Sequence, residues 1–235
     1  MRKIGLIGGM SWVSTRTYYE HINRLVQART STLSSAPLLI ESLDFAGLAR
    51  LSTPEEWNHA AQVLVQSAQR LEQAGATAIV IGANSMHKVY DQVAASVAVP
   101  VIHIADAVGA RMQAVGVKTA ALIGSRNVMV ESFYRKRLVA HGVTLLPPVM
   151  DNVDEIDRII YQELMQGRST RSAERTFKTL LTTMGQAGAE AVVLGCTELD
   201  MVIDVDANVL PIYDGTRIHA EAAVDWIMGG EQPAA

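Results

Sequence analysis

Four short, nearly continuous apolar runs punctuate the chain, at residues 3–8, 75–82, 118–124 and 188–195. Runs of that length and continuity read as strands of a parallel sheet covered on both faces. Between them, apolar residues recur at helical spacing. Thr53-Pro54-Glu55-Glu56 joins a capping box to a proline at the first helical position. Trp57, Ala60, Ala61, Leu64, Ala68 and Leu71 then form one apolar stripe, and Gly75 ends it. Ala173, Phe177, Leu180, Leu181, Met184 and Ala187 make a matching stripe that ends at Gly188.

The pattern repeats. Gly75-Ala-Thr-Ala-Ile-Val-Ile-Gly82 and Gly188-Ala-Glu-Ala-Val-Val-Leu-Gly195 lie 113 residues apart. Upstream, Gly8 and Gly124 close similar runs at an offset of 116, and downstream Pro100-Val101-Ile102 and Pro211-Ile212-Tyr213 differ by 111. Order and spacing are kept together, which chance similarity does not do. The expected fold is α/β, with two pseudosymmetric lobes, each a small parallel sheet flanked by helices, and a cleft between them. The first lobe is expected over residues 1–106 plus about 212–235, and the second over about 107–211. Residues 214–228 read as a helix with Ile218, Ala222, Val224 and Ile227 available for packing, and 229–235 as a frayed end.

Composition narrows the function classes. The chain has 235 residues, 49 % hydrophobic and 19 % charged, with a formal net charge of −4. That disfavours disorder and a basic nucleic-acid binder. A single cysteine, Cys196, excludes an intramolecular disulfide and a Cys-rich zinc site. Residues 4–10 after Arg2-Lys3 are too short and too glycine-broken for a signal peptide. Residues 93–108 are interrupted by Pro100, His103 and Asp106, so they do not read as a membrane span. The expectation is a soluble, cytoplasmic protein with no nucleic-acid or membrane partner.

In parallel sheets, ligands bind beyond the carboxyl ends of the strands. Four loops qualify: Gly8-Gly9-Met10-Ser11, Ala83-Asn84-Ser85, Gly124-Ser125-Arg126 and Cys196-Thr197-Glu198. Their glycines let backbone approach a ligand, their Asn, Ser and Thr add neutral hydrogen bonds, and helix starts favour a carboxylate. Cys196, after a strand end and at the start of a helix whose positive end lowers a thiol pKa, reads as a reactive thiol, against the alternative of a small buried hydrophobe. The glycines do not form GxGxxG, and no Walker lysine or GxSxG elbow is present. The six histidines are scattered without HxxxH spacing, so no metal site is expected. His87 reads as a residue supporting the Asn84 loop or capping a helix, or as a catalytic group, and His103 as a core histidine.

Gly8-Gly9-Met10-Ser11-Trp12, Asn84-Ser85-Met86-His87-Lys88 and Gly195-Cys196-Thr197-Glu198 together resemble the aspartate/glutamate racemase family, in order and over essentially the whole chain. The resemblance implies two lobes around a cleft, commonly a homodimer, and neither pyridoxal phosphate nor metal. It implies an amino-acid or dicarboxylate substrate whose Cα proton is removed on one face and returned on the other, by two facing thiols. Met10, Ser11, Asn84, Ser85, Ser125 and Thr197, all in the four loops, are the expected substrate contacts. Arg50 and Arg168 are candidates for a cation facing a second carboxylate, with Arg126 a third.

The chain departs from the family at the first thiol. Ala83 stands immediately before Asn84, and Gly82 precedes it, so only Cys196 remains of the pair. Val13 also replaces a glutamate often found after Ser-Trp. Three accounts are open. Ala83 is an engineered change in a racemase; or racemisation runs weakly or one way through Cys196 and a water or other side chain; or the chemistry needs one proton donor, as in arylmalonate decarboxylases of the same superfamily. A non-catalytic amino-acid or dicarboxylate binder is the alternative from another class, and the retained Cys196 argues against it.

Overall fold

The computed structural model describes residues 1–229. The predicted frayed end therefore lies outside the described residues, apart from Gly229. By compactness the chain divides into two units, residues 1–103 with 219–229, and residues 104–218.

The first unit is built on a parallel sheet of β1 (Ile4–Gly8), β2 (Leu38–Ser42), β3 (Ala78–Ile81) and β4 (Val101–Ile102), in the order β2-β1-β3-β4. Each crossover carries a helix: α1 (Trp12–Arg29), α2 (Pro54–Gln73) and α3 (Tyr90–Ala94). β1 and β3 are buried along their whole length, as their unbroken apolar sequence requires. α2 begins as the sequence predicts. Thr53 accepts from the Glu56 amide, and the Glu56 carboxylate accepts from the Thr53 amide at 2.9 Å. Its stripe of Trp57, Ala60, Ala61, Leu64, Ala68 and Leu71 is buried against Ile7, Ile79 and Ile81.

The second unit repeats the plan. β5 (Thr119–Gly124), β6 (Thr144–Leu145), β7 (Ala191–Gly195) and β8 (Ile212–Asp214) form a second parallel sheet in the order β6-β5-β7-β8. α4 (Ile104–Ala114) precedes it, and α5 (Arg126–Val130), α6 (Ser132–Ala140), α7 (Met150–Gln162) and α8 (Arg171–Gln186) fill its connections. Phe177, fully buried on α8, packs with Ile156, Ile160 and Leu194. Ala187 departs from the predicted stripe: it caps the end of α8 and is exposed. The two sheets share one strand order, which is the structural form of the sequence repeat.

Two strands lie outside the repeat read from sequence, β2 and β6. β2 is a half-exposed edge strand and β6 has two residues, so neither carries the continuous apolar signal of a central strand. β8 is hydrogen-bonded to β7, with Val193 opposite Tyr213, and so belongs to the second unit. α9 (Gly215–Ile227) follows at once. The part of it from His219 onward belongs to the first unit, where the Arg2 amide donates to the Ile227 carbonyl at 2.9 Å. Among the described residues, no helix is long and apolar enough to cross a membrane.

Candidate functional site

In the first unit, two loops leave the carboxyl ends of β1 and β3. Gly9 has φ +83°, and a Cβ there would fall on the Leu43 backbone, so this turn accepts only glycine. The Gly9 amide donates to Thr15 Oγ1 at 2.7 Å, and Ser11 caps α1 by accepting from the Ser14 amide. The Met10–Ser11 peptide bond is cis. Ser14 Oγ in turn donates to the Gly82 carbonyl at 3.2 Å, which ties the second loop to the start of α1.

That second loop holds Ala83, Asn84 and Ser85. Ala83 and Asn84 are buried and Ser85 half-buried. His87 Nδ1 lies 3.0 Å from the Ala83 carbonyl. A carbonyl can only accept, so Nδ1 carries the proton and His87 holds the loop by its backbone. Of the sequence alternatives for His87, support of the loop is the role this hydrogen bond expresses. Both amide atoms of Asn84 are buried without a protein partner. Buried polar atoms ordinarily find one, so an unpartnered amide beside Ala83 marks a place for a polar ligand or water.

A cluster of rings packs behind this loop. His87 and His103 have centroids 4.6 Å apart, and His219 lies 5.6 Å from His87. His219 Nε2 is 2.9 Å from the Ile102 carbonyl and Nδ1 is 2.8 Å from Tyr18 Oη. The carbonyl fixes the proton on Nε2, so Tyr18 donates to Nδ1 and the ring is neutral. Burial pushes the His219 pKa down to about 4, against a smaller upward pull from the Ile102 carbonyl. His103 is buried, as the sequence reading expects of a core histidine.

In the second unit, β5 and β7 end in register at Gly124 and Gly195. A Cβ on Gly124 would stand 2.7 Å from the Gly195 carbonyl, so the close strand ends require glycine. Ser125, Cys196, Thr197 and Glu198 are buried just beyond them. Cys196 Sγ donates to Glu198 Oε2 at 3.2 Å.

The expected lowering of the thiol pKa is not what this geometry produces. Burial pushes the Cys196 thiol well up, and the Glu198 carboxylate adds to the rise. The element that follows is a five-residue 3-10 helix, Thr197–Met201, too short to offer the positive end on which the expectation rested. Glu198 is the functional candidate that sequence reading passed over. The Cys-x-Glu spacing at a strand end was the available signal.

Arg168 is exposed and bonds locally, to the Gln162 carbonyl at 2.8 Å and to Gln166 Oε1 at 2.6 Å. Arg126 pairs with Asp154, and its amide donates to Asp157. Arg50 is exposed, with φ +56°. Met10 is buried in the core of the first unit, and Val13 is buried on α1. Among the described residues, no group of three or more His, Cys, Asp or Glu is placed to hold a metal ion.

Residues 7–223 match the model of the Asp/Glu/Hydantoin racemase family. The chain belongs to that family. It is 36 % identical to a Yersinia pestis protein whose crystal structure was described as a candidate Asp/Glu racemase, covering 97 % of this chain and 100 % of that one, with a TM-score of 0.89. An aspartate racemase homologue from Pyrococcus horikoshii OT3 is 31 % identical over 97 % of this chain and 100 % of its own, with a TM-score of 0.83. The broad specificity amino-acid racemase RacX of Bacillus subtilis (strain 168) is 20 % identical over 224 residues, 94 % of this chain and 96 % of that one.

Proposed function

We propose that the protein is a cofactor-independent amino-acid racemase of the aspartate/glutamate type in which Cys196 is the one thiol acid/base. The observation that carries this reading is the buried hydrogen bond from Cys196 Sγ to Glu198. With its pKa pushed up, the thiol rests protonated and is ready as an acid. It gives its proton to the Cα carbanion, and the thiolate regains a proton from solvent through Glu198. Ala83 carries no acid or base, so a water or another side chain removes the first Cα proton on the other face. Met10, Ser11, Asn84, Ser85, Ser125 and Thr197 are proposed as substrate contacts. Neutral donors stabilise the charge that develops on the α-carboxylate. The relatives' names favour aspartate, glutamate or a broader set of amino acids as substrate. A homodimer is proposed on the family resemblance alone. Arg50 and Arg168 are kept as candidates for the second substrate carboxylate, although Arg168 would have to leave its local bonds.

The test is proton NMR in D2O on both enantiomers of aspartate and glutamate. Loss of the Cα–H signal, abolished by Cys196→Ser and raised by Ala83→Cys, is the expected result. No exchange with either the original protein or Ala83→Cys would overturn the reading. A single-thiol decarboxylase is the second reading, favoured by the absence of any titratable group at Ala83. Release of carbon dioxide from arylmalonates without Cα exchange of amino acids would select it.

A further inference from the structure

A cavity of about 290 Å³ lies wholly inside the second unit. It sits beside β5, under the segment after β6, and between α7 and the last turns of α8. Its size is close to the lower end for small-molecule pockets, about 300 Å³. Met129, Leu146, Pro148, Val153, Ile156 and Met184 make its wall apolar. Such a wall gives water few of the two to four polar partners it needs, so water filling it is readily displaced by an apolar group.

Among the described residues, one cation lines this cavity. Arg135 on α6 lines it, half-buried. Its Nη1 and Nη2 donate to the Leu145 and Leu146 carbonyls at 3.0 and 3.2 Å. Those bonds use two of the five guanidinium N–H groups and hold the fork still. Among the described residues, no carboxylate is paired with it. A fixed, partly desolvated guanidinium on the edge of an apolar cavity lacks a counter-anion, and one on an apolar ligand would satisfy both features.

We propose that this cavity is a binding site for a small apolar monocarboxylate, with the apolar body between α7 and α8 and the carboxylate on Arg135. None of its lining residues is among those proposed above to contact the amino-acid substrate, so the site stands or falls independently of the racemase reading.

Phenylacetate is the probe, titrated into protein carrying labelled methionine methyls. We expect saturable shifts at Met129 and Met184, and binding of neutral phenylacetamide at least about tenfold weaker, the loss of a charge-assisted hydrogen bond. In Arg135→Met, the acid drops to the affinity of the amide while the amide is unchanged. Thr183→Phe, made at an exposed position on α8 that lines the cavity, removes binding of both. Equal affinity for acid and amide in the original protein would overturn the proposal, even if Arg135→Met fails to fold. So would unsaturable shifts, or unaltered binding in Thr183→Phe.

Discussion

His219 offers a prediction whose size can be worked from the structure. The ring is buried and neutral, with Nε2–H on the Ile102 carbonyl and Nδ1 accepting from Tyr18. Its pKa falls from 6.5 in the unfolded chain to about 4 in the fold, because burial penalises the imidazolium. Between those two values the unfolded chain binds a proton that the folded state refuses. This stability is therefore complete above pH 6.5 and is lost as pH falls to 4. The difference of 2.5 in pKa, at 1.36 kcal/mol each, gives about 3 kcal/mol. His219→Gln lacks the titration and should lack this slope. All three tryptophans, Trp12, Trp57 and Trp226, lie in the first unit, so their fluorescence follows its unfolding. Urea titrations at pH 7.5, 6, 5 and 4.5 would compare the two proteins. With about 1–3 kcal/mol per molar urea, the original should lose roughly 1 to 3 M more of its midpoint across that range than the variant. Parallel midpoint curves for the two proteins would refute the reasoning, since they would mean His219 protonates equally well in both states.

Further outcomes follow from the loops. Glu198→Gln should make Cys196 react faster with iodoacetamide at pH 8, because it removes the carboxylate that helps hold the thiol protonated; peptide mass spectrometry reads the rate. Asn84→Ala should leave the urea midpoint nearly unchanged or raise it, since neither amide atom has a protein partner to lose, while weakening amino-acid binding by about tenfold in calorimetry. Gly9→Ala should destabilise the first unit by more than about 1 kcal/mol in the fluorescence assay, through its positive φ and the clash with Leu43.

The central strands were legible because burial on both faces leaves an unbroken apolar run, and the repeat was legible because glycines close those runs at matching places. β6 escaped because it has two residues, one of them exposed, and no matching proline-led segment marks it as Pro100 and Pro211 mark β4 and β8. The loops after β1, β3, β5 and β7 could be named from topology alone. The sense of the Cys196 shift could not. It depends on how deeply the thiol is buried and on Glu198 turning back toward it, and neither is written in residue spacing. Nor could the sequence show that Arg126 is taken by Asp154, because that partner comes from a different helix.

The placement of α9 has a consequence for synthesis. The first unit contains the opening residues of the chain, yet it is finished by His219, Asp225, Trp226 and Ile227. These meet Tyr18, Arg29, Thr77 and Arg2, respectively. A ribosome emits the whole of residues 104–218 before these partners appear. The half made first is thus the half completed last, and the middle of the chain can settle while the opening sheet still waits for its closing helix.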